Sequence, residues 1–137
     1  MRLQLLSDLH LGVSEMDRPL TDADVVVLAG DIGPPRQAAA WAMRFDQPVL
    51  YVLGNHEFYG GCIDDTAAEL AHICAGTQVQ VLDDDEVVID GVRFLGSTLW
   101  TDFMLQGDGA PKQLAVDAAL RFMRDFSRIR SGDGNAL

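Results

Sequence analysis

The sequence predicts an α/β fold, a mostly parallel sheet built from βαβ steps with an added hairpin. Three observations predict it. Runs of Val, Leu and Ile without strict alternation, at 2–8, 24–31 and 47–55, have the composition of strands covered on both faces. Segments of helical composition lie between or after them, at 35–45 and 63–75. An Asp90-Gly91 pair separates two further strand-like runs, as a tight hairpin requires.

Taken in order, "RLQLLSD" (2–8) is the first strand, ending at Asp8, and "DVVVLAGD" (24–31) the second, ending at Asp31. "PRQAAAWAMRF" (35–45) is a helix; Pro35 suits its first turn, where a missing N–H leaves no bond unmade. "QPVLYVLGN" (47–55) is the third strand, begun by Pro48 and stopped by Gly54. After a Gly60-Gly61 turn, "IDDTAAELAHICA" (63–75) is a helix with acidic residues in its first turn and Gly76 as its stop. "VQVLDDDEVVIDGVRFLGSTLW" (79–100) supplies strands and the hairpin, with Asp83–Glu86 a solvated turn, and "DFMLQGDGAP" (102–111) is a loop. "PKQLAVDAALRFMRDFSRIR" (111–130) is one last helix, and "SGDGNAL" (131–137) a disordered tail. The expected domain is therefore 1–130, a length that suits a single core.

Ten basic residues against 21 acidic ones give a formal charge of −11, which disfavours long nucleic acids and anionic membrane surfaces as partners. An acidic chain that handles a phosphate needs a cation to offset the repulsion. The longest apolar stretch, Val25–Gly30, is far too short to cross a bilayer. Cys62 and Cys74 lack metal-site spacing and read as reduced thiols. With no signal-like segment before the first strand, the cytoplasm is the expected location.

Asp8, Asp31 and Asn55 each sit just past the end of an expected parallel strand. The carboxyl ends of such strands line the crevice where open α/β sheets bind ligands. Residues two apart on extended chain share a side, so Asp8 and His10 converge if the extension persists. Asp, His, Asp and Asn on one rim form a mixed oxygen and nitrogen donor set, suited to Mn2+, Fe or Zn2+ rather than Ca2+. Asp31, with two carboxylate oxygens, is the natural bridge between two cations, and Asn55 offers a neutral amide oxygen. His72, inside the 63–75 helix, reads as a helix-surface residue.

"SDLH" (7–10), "GD" (30–31) and "GNHE" (54–57), in that order and at strand ends, resemble the first three motifs of the calcineurin-like metallophosphoesterase superfamily. "GSTLW" (96–100) and "FMRDF" (122–126) resemble the middle of compact bacterial members. The resemblance implies the N-terminal half of an α-β-β-α sandwich. It also implies a metal-dependent phosphoesterase that hydrolyses a small phosphate mono- or diester with two divalent cations. On this likeness Asp8 and His10 are ligands of the first metal and Asp31 is the bridge. Asn55 is a ligand of the second metal, His56 is the catalytic histidine, and Glu57 orients its neighbours.

The superfamily completes both metal sites with later Gly-His and Gly-His-x-His motifs, and this sequence has no histidine after His72. The expectation is therefore a truncated domain that holds one cation or none and is impaired in turnover. The alternative is a non-catalytic scaffold of the same fold. The apolar faces of strands 2–7, 24–30 and 48–53 are expected to lack part of their cover and to promote self-association.

Overall fold

Each apolar run becomes a strand because its branched side chains pack on both faces of a sheet. In the computed structural model, which describes residues 1–132 and Ala136, four strands form one parallel sheet. They are β1 (Leu3–Leu6), β2 (Val25–Ala29), β3 (Val49–Val52) and β4 (Val79–Val81), in spatial order β1-β2-β3-β4. Leu3 lies opposite Val25, Val26 opposite Val49, and Val49 opposite Val79. Every pairing is parallel, so all four carboxyl ends open on the same edge.

Alternate side chains go to opposite faces. Val26, Leu28, Val49 and Tyr51 pack under α1 (Pro35–Ala42) and α2 (Ile63–Cys74) in the main core. The alanines Ala38, Ala39 and Ala42 are fully buried and let α1 lie close to the sheet. On the other face Val25, Leu50 and Leu82 are covered by β5 (Asp85–Ile89) and β6 (Val92–Gly96). These two strands join at Asp90 and Gly91, whose φ values of 48° and 79° are those of the expected tight turn. Asp85 and Glu86 belong to β5, so the acidic run is a turn only in its first half.

The expected loss of cover is greatest at β1 and reaches the ends of β2 and β3, where Val27 and Val52 are half-buried and Ala29 is exposed. Leu3 and Leu5 are 51% and 64% exposed on the hairpin side, whereas Val25 and Leu50 beside them are buried. The single helix expected at 111–130 is a second departure. The chain forms α3 (Ala110–Phe122), turns to extended backbone at Met123, and resumes as α4 (Asp125–Arg128). Tertiary hydrogen bonds then stop the chain from continuing as helix past Arg128. Gly60 N–H donates to Arg128 O, Ile63 N–H to Arg130 O, and Arg130 N–H to Gly61 O. Backbone groups committed to that ladder cannot continue a helix, and Ile129 is drawn into the core. The tail expected at 131–137 lies, apart from Ser131, Gly132 and Ala136, outside the described residues.

Candidate metal centre

Beyond Leu6 the chain leaves the extended region, contrary to the geometry by which Asp8 and His10 were to share a side. Asp8, His10 and Asp31 have φ values of 54°, 46° and 57°. Asp and His enter this left-handed region more readily than most residues, but still at a cost. Hydrogen bonds hold them there: Asp8 N–H to Gly30 O at 3.0 Å, His10 N–H to Asp31 O at 3.0 Å, and Leu11 N–H to Ile32 O at 2.8 Å. The two segments therefore run side by side past the ends of their strands.

The tips of β2 and β3 meet through glycine. A Cβ on Gly30 would lie 2.9 Å from Gly54 Cα, and one on Gly54 would lie 2.2 Å from Asp31 Oδ1. Only hydrogen in place of Cβ permits this approach, so "GD" and "GN" need their glycines for packing.

Glu57, 2% exposed, fastens the tips together. Its Oε1 accepts from Ile32 N–H at 2.7 Å, Gly33 N–H at 3.3 Å and the Tyr51 hydroxyl at 3.0 Å. Its Oε2 accepts from Asp31 N–H at 3.0 Å and Gly54 N–H at 2.8 Å. Burial, reinforced by Glu57, pushes the Tyr51 phenol far above the ordinary tyrosine range, so it remains a donor. Glu57 thus orients its neighbours from inside the fold.

The donor atoms of His10, Asp31 and His56 lie within 4.8 Å of one another. His56 follows β3 in a 3-10 turn, His56–Phe58, and its N–H donates to Asp31 Oδ1 at 3.0 Å. Its ring meets His10 edge-on at 4.6 Å and stacks on Tyr59 at 4.3 Å. Two imidazoles and a carboxylate fit a transition metal by chemistry. They also nearly fit by distance. Ligands about 2.1 Å from one ion are at most about 4 Å apart, so the group has only to draw together slightly.

Asp8 is not in that group. It lines an adjacent cavity of about 840 Å3 together with Asp31, Asn55 and Asp125, facing Trp100 and Phe103. Asp125, 8% exposed, is a residue that sequence reasoning missed. Its Oδ1 accepts from Asn55 Nδ2 at 2.9 Å and from the Tyr59 hydroxyl at 2.6 Å. Partial burial and the bond to Asp125 push the Tyr59 phenol up to about 12. The segment "FMRDF" held the only available signal, because nothing local announces a contact between positions 55 and 125. His72 is exposed on α2, as expected, and both cysteines are free. Among the described residues no helix is long and apolar enough to cross a membrane.

An uncharacterized protein of Acanthamoeba polyphaga mimivirus is 30% identical over 161 aligned residues, which cover 98% of this chain and 54% of that protein. The chain thus spans about half the length of the curated relative it matches. The model of the calcineurin-like phosphoesterase family matches residues 1–114, where the three strand-end motifs and the converging donors lie. The chain belongs to the calcineurin-like phosphoesterase family.

Proposed function

We propose that this chain carries the cation-holding and substrate-orienting side of a phosphoesterase that hydrolyses a small phosphate monoester or diester. The observation that supports it best is the convergence of His10, Asp31 and His56 on a rim braced by Glu57. Asp8, His10 and Asp31 would hold the first divalent cation, Mn2+, Fe or Zn2+; Asn55, on the same rim as Asp8 and Asp31, would complete its shell where a single cation binds and would serve a second, with Asp31, where two do. When bound, such cations supply Lewis acidity toward the phosphoryl oxygens and lower the pKa of water.

The chain's own residues orient and protonate. Asp31 Oδ1 is fixed by the His56 N–H, which leaves the other carboxylate oxygen for a cation. The His56 imidazole, wedged between the rings of His10 and Tyr59, orients the phosphate and gives a proton to the leaving oxygen. The net charge of −11 repels a free phosphoester, so binding depends on the cation. We take the location as cytoplasmic.

The test is turnover of p-nitrophenyl phosphate and bis-p-nitrophenyl phosphate with added Mn2+. Calorimetry should find one Mn2+ per chain, with turnover low and abolished by chelator and by Asp31→Asn. Turnover indifferent to both would overturn the reading. A second reading, a non-catalytic scaffold, is favoured by one observation. Among the described residues a single cluster of three such donors is found, fewer than two cations need. Mn2+ uptake without turnover of either ester would select it.

A further inference from the structure

We propose that Asp125 is a positioning residue for the candidate centre, holding the Asn55 side chain with its carbonyl oxygen turned toward the cation site. The inference rests on the reading of Asn55 as a metal ligand. Asn55 Nδ2 lies 2.9 Å from Asp125 Oδ1. A carboxylate only accepts, so the nitrogen end of the amide must face it. The planar group then carries its oxygen away from Asp125, on the rim that Asn55 shares with Asp8 and Asp31. Without such a partner the amide could turn its N–H2 toward a cation, which repels it.

Asp125 is itself held in place. Tyr59 donates to the same oxygen at 2.6 Å, and the residue is 8% exposed. The ladder between 60–63 and 128–130 keeps α4 against the loop that follows Asn55. A segment 70 residues away thereby sets the aim of a ligand, the role that outer hydrogen-bond partners play around metal ions.

A role in packing alone would show the same hydrogen bonds, so the test exchanges the two groups. Mn2+ binding is measured by calorimetry on the whole chain and on three variants: Asn55→Ala, Asp125→Asn, and the double exchange Asn55→Asp with Asp125→Asn. Asp125→Asn can accept from or donate to Asn55, so the aim is lost; affinity should fall about 10- to 100-fold, as it should for Asn55→Ala. The double exchange restores one donor facing one carboxylate and leaves a carboxylate oxygen toward the cation, so affinity should return close to wild type. Nitrogen-15 spectra of the metal-free chain should show the Asn55 amide protons protected from exchange, and unprotected in Asp125→Asn.

Wild-type affinity in Asp125→Asn alongside a loss in Asn55→Ala would overturn the positioning role and leave the ligand reading standing. A double exchange as weak as Asp125→Asn, or an amide equally unprotected in both chains, would overturn the role too. Wild-type affinity in Asn55→Ala, or no Mn2+ uptake by the native chain, would overturn the ligand reading and the role together.

Discussion

Asp8, His10 and Asp31 stand on left-handed backbone, where every residue but glycine pays a conformational cost. Stability and function therefore pull apart at these positions. Asp8→Gly is expected to be neutral or stabilising by up to about 1 kcal/mol, since the cost at φ 54° is relieved. The same change should weaken Mn2+ binding; thermal denaturation and calorimetry on one sample check both halves. Glu57 makes the opposite prediction. In Glu57→Gln, either orientation of the amide sets its N–H2 against two backbone N–H groups, Asp31 and Gly54 or Ile32 and Gly33. At about 1–3 kcal/mol for each buried donor left unpaired, urea unfolding should register a clear loss, without any metal present. An unchanged midpoint would mean that the five donors do not depend on that carboxylate.

Among the elements, β2 and β3 are legible as apolar runs because both of their faces are buried. The helices differ from one another. Of the 13 residues of α3 only Ala119 is buried, and Leu114 and Phe122 are 70% and 76% exposed. Its composition is helical but its packing is thin, so its amides should open early. In hydrogen exchange followed by mass spectrometry, α3 should exchange first among the helices. Peptides containing Ile129 and Arg130, whose N–H groups donate to Asp125 O and Gly61 O, should lag behind it. If α3 and the 128–130 segment lose protection together, the ladder is not an independent clamp on Asp125. The break at Met123 could not be read from composition, because the sequence on both sides of it is helix-compatible and forms helix.

At the scale of the whole molecule, Leu3 and Leu5 stand exposed together on an edge strand. Edge strands of this kind pair readily with a second chain. Sedimentation velocity should detect concentration-dependent association. Leu5→Lys should weaken it by about tenfold or more, because one buried leucine contributes about 1.5–3 kcal/mol. Leu5 is already 64% exposed, so the substitution should leave unfolding almost unchanged. A monomer at every concentration would contradict the association.

The sequence by itself determined the strand-end placement of Asp8, Asp31 and Asn55, the parallel sheet, the hairpin and the family motifs. Each of these depends on local patterning and spacing, which a single chain displays openly. Only the tertiary structure decided which donors meet. His10 rather than Asp8 joins Asp31 and His56, and Asp125 arrives from 70 residues away to hold Asn55. The physical reason is that side-chain direction ceases to be periodic once φ turns positive at a strand's end. From there, loop hydrogen bonds and glycine contacts set the aim of each group, and these are made between segments remote in sequence.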